Sequence, residues 1–255
     1  MNLINEFSYI ILFDIVKYFI IAGSFYMICY IFYRKSLNRA KIQKKEVLAT
    51  DIRREIINSV AASFIMSLLV FIILDTKLAK FTKLYTNIDD CSIWWLPLSV
   101  LLGAIIHDSY FYWLHRLLHH KRLFKYSHVI HHQSKNPSPF ASYSFNFIEA
   151  IGEGLIIPVL LFIVPFHLMS LYCFIVLGFI INAYGHLGYE LAPKWFRTSF
   201  LFHILNTSVY HNLHHSKFYG NFGLYFRFWD KIMGTENPDY TKVFDKIQNE
   251  RFNNK

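Results

Sequence analysis

Two apolar stretches, residues 9–33 and 56–74, limit the folds open to this chain. Each is long enough to cross about 30 Å of hydrocarbon as a helix rising 1.5 Å per residue. Inside a bilayer every backbone polar group must bond within its own segment, so helices are the expected element. Asp14 and Lys17 fall in the first stretch at i,i+3, a spacing that lets them pair or reach the interface. A lone charge at mid-bilayer would cost roughly 2.5–3.5 kcal/mol. The composition agrees with a membrane location: 54% of the 255 residues are hydrophobic and 19% aromatic. The mean hydropathy of +0.29 is high for a water-soluble domain.

Between the two stretches stand Arg34, Lys35, Arg39, Lys41, Lys44, Lys45, Arg53 and Arg54, opposed only by Glu46, Asp51 and Glu55. They supply much of the formal charge of +9. A basic loop joining two apolar spans is what the positive-inside rule expects on the cytoplasmic side, so the basic balance does not call for a nucleic-acid partner. Cys29, Cys91 and Cys173 are isolated, which argues against a disulfide framework, a thiolate metal site or a dithiol redox motif. The first apolar stretch lacks a basic start and a small-residue cleavage site, and is expected to be retained.

Residues 75–91 have nearly balanced charge and are expected on the far side of the membrane. A third helix should begin near Trp94, Trp95 and Pro97, run through Leu101, Leu102, Ile105 and Ile106, and become polar beyond His107. Asp108, Tyr112, His115 and His119 then follow at i, i+4, i+7 and i+11, along one stripe. Asn136, Pro137, Ser138 and Pro139 break the pattern. The runs 148–164 and 168–183, joined at Pro165, read as a hairpin that only partly crosses the bilayer. The expected fold is all-α: an integral membrane helical protein whose histidine-rich helical cap, on the cytosolic face, holds a dimetal site. The expected segments are a transmembrane hairpin with its basic loop (1–93), a histidine-rich region (94–240) and a polar tail (241–255).

Eight of the 13 histidines fall in three clusters, His115 and His119, then His128, His131 and His132, then His211, His214 and His215. Residues four apart on a helix present their side chains to one side, so each cluster can face an ion. Any one of them alone would pass for a helix surface; three together point to metal. Eight imidazoles exceed what one ion with an open position can use, so two ions are the natural count. His186, where the apolar hairpin returns to the same face, is a ninth candidate. His107 can serve the site or bond within its helix, His120 points off the His115/His119 face, His167 lies in the far turn, and His203 is undecided. With no ExxH motif, the site must be almost purely imidazole. Ligating imidazoles need acceptors that fix their tautomer; Asp108, Glu149, Glu190 and Asp230 are available, with Asp108 first because it shares a stripe with two ligands. Tyr112, on that stripe, is a further supporting candidate.

The run from Asp108 to His119, with His128-Val129-Ile130-His131-His132, resembles the fatty acid hydroxylase/sterol desaturase superfamily. So do His211-Asn212-Leu213-His214-His215, the following Asn221-Phe222-Gly223, Trp229-Asp230 and Gly234-Thr235, and Gly185-His186-Leu187-Gly188-Tyr189-Glu190. The resemblance covers roughly residues 94–236 and departs at Asn146, where the family carries histidine. It implies two non-haem irons on the cytosolic face of a bacterial inner membrane or endoplasmic reticulum. It also implies dioxygen as co-substrate and hydroxylation or desaturation of a sterol or other lipid. Box spacing does not separate these outcomes, and purified protein could carry zinc instead. Two electrons per turnover are needed, and no GxGxxG, iron–sulfur or haem-attachment motif is present; a separate electron donor protein is therefore expected, with the basic loop as a candidate contact, although anchoring to anionic lipid is the favoured role of that loop. The rival readings are a membrane zinc transporter or sensor using the same imidazoles, and a zinc hydrolase, for which the HExxH arrangement is missing.

Overall fold

The computed structural model describes residues 3–253 and, among them, contains helices but no β-strand beyond isolated bridges. Helix α1 (Leu3–Tyr26) runs into a π-helical turn, Met27–Phe32, and α2 (Ala49–Leu74) returns beside it. Three helical stretches are long and apolar enough to cross a membrane, Ile4–Phe32, Ala49–Leu74 and Leu168–Gly185, the last being α8 defined below. Their outer faces expose Leu12, Ile20, Phe64, Leu68 and Leu177, side chains that find a favourable solvent in lipid rather than in water.

Helix α3 (Trp95–Leu118) begins at the expected tryptophans, with Pro97 in its first turn, and ends with His119 as its cap. The short helices α4 (Phe124–Ser127) and α5 (Val129–His132) follow, joined at His128. The run 148–164 is divided into α6 (Phe147–Gly154) and α7 (Ile156–Ile163). At eight residues, each spans about 12 Å, too little to cross. Helix α6 lies tight on α2: a Cβ on Gly154 would come within 2.9 Å of Leu69 and Met66 side chains.

Helix α8 (Leu168–Gly185) carries the chain along the bundle from His167 at one end to His186 at the other. At the His167 end, segment 75–91 packs on the α7–α8 turn: Lys83 N–H donates to Leu161 O at 2.7 Å, and His167 Nε2 to Thr86 O at 3.0 Å. At the His186 end lies the histidine layer, with α9 (Phe200–Ile204), α10 (Ser208–Lys217) and α11 (Phe228–Ile232). The basic loop docks on this layer: Ile42 N–H donates to Gly188 O, Glu190 N–H to Ala40 O, and Gln43 Nε2 to Asn212 Oδ1 at 2.9 Å. Part of its charge is answered within the fold, Lys41 by Glu46 at 2.8 Å and Lys44 by Glu250 at 3.1 Å.

The stretch expected to be a polar tail is instead helix α12 (Tyr240–Phe252). Tyr240, Phe244 and Ile247 repeat at helical spacing, and this stripe packs on Phe196, Phe202, Val209 and Tyr210. The hydrophilic residues that suggested a tail occupy the opposite face.

Candidate metal centre

Four elements bring the histidines together. The end of α3 supplies His115 and His119, the α4–α5 corner His128, His131 and His132, the end of α8 His186, and α10 the remaining three. Helix α10 is fixed at its start by Thr207, whose hydroxyl accepts from Tyr210 N–H, and by Glu190, whose Oε2 accepts from Val209 N–H at 3.1 Å. Beyond its end, Phe218, Gly220 and Asn221 all adopt positive φ, turning the chain back over the layer.

The nine imidazoles form two groups, His115, His119, His128, His132 and His214 in one and His131, His186, His211 and His215 in the other. Both HxxHH boxes are divided between them. Neighbouring residues on a helix point about 100° apart, and the rings of His131 and His132, like those of His214 and His215, stand at 88°. Each His-His pair therefore faces both groups.

Within the first group, Nε2 of His115 lies 3.0 Å from Nε2 of His128, and Nε2 of His132 lies 3.0 Å from those of His119 and His214. Within the second, Nε2 of His186 lies 3.3 Å from that of His131, 3.0 Å from that of His211 and 3.2 Å from that of His215. Nitrogens held 2.0–2.1 Å from one first-row ion sit about 2.9–3.4 Å apart, depending on coordination number.

Tautomers decide whether these are hydrogen bonds or metal ligands. His115 Nδ1 donates to Phe222 O at 2.9 Å, His186 Nδ1 to Asn182 O at 2.9 Å, and His214 Nδ1 to Gly220 O at 2.7 Å. A carbonyl can only accept, so the proton of each neutral ring is on Nδ1 and its Nε2 presents a lone pair. His128 Nδ1 lies 2.6 Å from Glu149 Oε1, and takes the same tautomer when that carboxyl is ionised. Lone pairs converging at 3 Å repel unless a cation lies among them, and the donor set fits a metal ion in each group. Burial, with neighbouring imidazoles adding to it, pushes the basicity of these rings down, His132 to about 3 and His128, His131, His211, His214 and His215 well below the ordinary value. They are neutral at pH 7 and ready to bind metal.

A family profile described as fatty acid hydroxylase matches residues 100–235, and that span contains all nine of these histidines. The chain belongs to the fatty acid hydroxylase family. Its similar relatives include a rat lathosterol oxidase, 32% identical over 74% of this chain and 62% of the relative. A Delta(7)-sterol 5(6)-desaturase from Gibberella zeae is 28% identical over 92% of this chain and 63% of the relative. Rat methylsterol monooxygenase 1 is 30% identical over 60% of this chain and 53% of the relative. The chain thus spans less than two thirds of the length of these relatives. No solved structure is significantly similar to it.

In this member of the family, the supporting carboxylates differ from the sequence expectation. Asp108 touches no histidine; its Oδ1 accepts the N–H groups of Leu224, Tyr225 and Phe226. Two helical turns, about 10 Å of rise, separate it from His115 despite the shared stripe. Tyr112 Oη meets Thr235 Oγ1 at 2.9 Å, and Glu190 anchors Tyr184, Ala192 and Val209. Asp230 acts one step away, accepting from Phe222 N–H and Gly223 N–H and so positioning the carbonyl that holds His115. The carboxylate that does reach a ring is Glu149. Asn146 supports it, capping α6 by accepting from Glu149 N–H at 2.9 Å. The three backbone carbonyls had no signal in the sequence; the structure shows that one of them belongs to Gly220, in a turn at φ +71°.

The other histidines stay outside both groups. His120 and His203 are exposed, His167 is at the far end, and His107 Nδ1 lies 2.8 Å from Tyr225 Oη. His107 instead lines an apolar cavity of about 220 Å³ inside the bundle. The cavity reaches the four-histidine group through Phe145, whose ring lies 5.3 Å from His131, and Asn182, the partner of His186.

Proposed function

We propose that this protein is a membrane-bound non-haem di-iron oxidoreductase that uses dioxygen to hydroxylate or desaturate a sterol or another hydrophobic lipid. The reading is carried by the gathering of nine neutral imidazoles into groups of five and four beside an apolar cavity. One iron would be held by His115, His119, His128, His132 and His214, the other by His131, His186, His211 and His215. Iron bound there would supply the redox chemistry that turns dioxygen on an unactivated C–H bond, which no side chain can do. Imidazole accepts zinc as well, and purified protein could carry it; the relatives' names, an oxidase, a desaturase and a monooxygenase, favour iron.

The chain's own part is to bind, orient and exclude. Glu149 and the carbonyls of Phe222, Asn182 and Gly220 keep four rings turned with Nε2 inward, so little rearrangement is needed on binding. The cavity wall, built largely of Phe, Leu and Ile side chains, keeps water from the reacting carbon. A separate electron donor protein supplies the electrons. The protein is multi-pass, in a bacterial inner membrane or the endoplasmic reticulum, with its metal centre on the cytoplasmic face. The docking of the basic loop on the histidine layer supports that sidedness, because the positive-inside rule assigns such a loop to the cytoplasm.

Mass spectrometry of membrane lipids, with and without the protein under labelled dioxygen, tests the proposal. Gain of one labelled oxygen identifies hydroxylation and loss of two hydrogens desaturation. No oxygen-dependent change in any lipid, with the protein present and metal-loaded, would refute it.

A further inference from the structure

The bundle cavity carries polar side chains that the histidine groups do not use. Asp14 and Lys17 enter from α1, Ser67 from α2, His107 from α3 and Glu153 from α6. Most of these have partners: Lys17 Nζ bonds Asp14 Oδ1 at 2.5 Å and Tyr143 Oη at 3.2 Å, and His107 bonds Tyr225. Glu153 has none. Its residue is 9% exposed and lines the cavity, and no side-chain hydrogen bond or ion pair joins it to another described residue. Asp14 Oδ2 and Ser67 Oγ, on the same walls, are buried and also without hydrogen-bond partners.

A carboxyl turned into a mostly apolar cavity is costly unless water or a ligand supplies the partner that the protein does not. Such a group, alone among the charged side chains of a mostly apolar wall in having no protein partner, is accounted for by a ligand that brings one. The charges around it narrow the chemistry of that ligand. The single ammonium is already matched to Asp14, so a carboxylate or phosphate head would face two carboxyl groups with no free cation. An uncharged hydroxyl satisfies Glu153 and adds no charge to the cavity.

We propose that Glu153 is a specificity-determining residue that accepts a hydrogen bond from an uncharged hydroxyl head group of the lipid, so that the cavity admits hydroxylated lipids and rejects anionic ones. The inference rests on the reading that the cavity takes a sterol or similar lipid. Glu153 lies one helical turn beyond Glu149, about 6 Å of rise, on the helix that also reaches His128.

The test is competition binding on the full chain in nanodiscs, with cholesterol, cholesterol methyl ether and cholesteryl sulfate as competitors of radiolabelled cholesterol. The ether keeps the shape and removes the donor. Wild type should bind cholesterol at least about tenfold more tightly than the ether, and more tightly still than the sulfate. Glu153→Leu should erase the difference between alcohol and ether, whereas Glu153→Gln, which keeps an acceptor oxygen, should preserve most of it. Infrared difference spectra of wild type give a second readout that survives misfolding of the leucine variant: a carboxyl band, absent in Glu153→Gln, shifts with cholesterol and not with the ether. Equal binding of alcohol and ether by wild type, undiminished discrimination in folded Glu153→Leu, or no such band shift overturns the inference while leaving the oxidoreductase reading intact. Failure of wild type to bind any of the three sterols removes the sterol reading itself, and this inference with it.

Discussion

Removing the carboxylate of Glu149 should weaken one metal ion and spare the other. The bond from His128 Nδ1 to Glu149 Oε1 is 2.6 Å long and joins side chains 2% and 1% exposed, so water does not replace it. Burial and the neighbouring Glu153 push the Glu149 carboxyl well above its usual range, so the bond carries a full charge only once a bound cation draws the proton off. A hydrogen bond to such a charged group contributes about 1.5–3 kcal/mol, and each 1.4 kcal/mol is tenfold in affinity. Glu149→Ala should therefore lower affinity at the five-histidine group by about 10- to 100-fold, the range usual for partners of metal-bound histidines. Binding should be weakened rather than lost, because His115, His119, His132 and His214 remain. The cap that Asn146 places on α6 uses the backbone N–H of residue 149 and survives the substitution. Titration of metal-free protein with ferrous iron or zinc against a chromophoric chelator reads both sites at once. Unchanged affinity at both sites, or an equal loss at both in a folded variant, would refute the assignment of Glu149 to His128.

Because each HxxHH box serves both groups, double substitutions should separate by group rather than by box. His186→Ala with His211→Ala should strip one group and leave about one tightly held metal per chain, whereas His131→Ala with His132→Ala, which takes one ligand from each group, should weaken both sites and empty neither selectively, by elemental analysis and chelator competition of folded protein; the same pattern of loss in both variants would contradict the grouping. Gly220→Ala should destabilise the protein by about 1–3 kcal/mol, seen as a lower Tm, and weaken the five-histidine site. The residue has φ +71° and a Cβ there would lie 2.5 Å from Thr235 O, so an unaltered Tm and metal content would show that the turn is not needed in this form.

Much of this arrangement can be read from sequence because the bilayer imposes long apolar runs. Helices α1 and α2 follow directly from them, and α3 begins where its tryptophans indicate; the run that forms α8 read as part of a hairpin that only partly crosses, whereas as an 18-residue helix it is long and apolar enough to span. The three boxes identify the histidines, but spacing alone does not say which ring joins which group. It shows only that neighbouring side chains diverge; the corner at His128 and the turn beyond α10 decide the rest. The expected role of Asp108 failed for a simple reason: a shared stripe fixes direction around the helix, whereas contact also requires short rise. Glu149 could not be singled out because α6 reaches His128 from an element distant in sequence. Backbone carbonyls are present at every residue and so carry no signature. Helix α12 was hidden by composition, although Tyr240, Phe244 and Ile247 repeat at the helical period.

The adjacent pairs His131–His132 and His214–His215 tie the two imidazole groups together through single peptide units. The separation of the groups is thereby set by covalent geometry rather than by the packing of separate domains. Inserting or deleting one residue within either doublet would swing a ring through about 100° and disturb both groups together. The surroundings can be varied piece by piece, but the register of the two groups changes only as one unit.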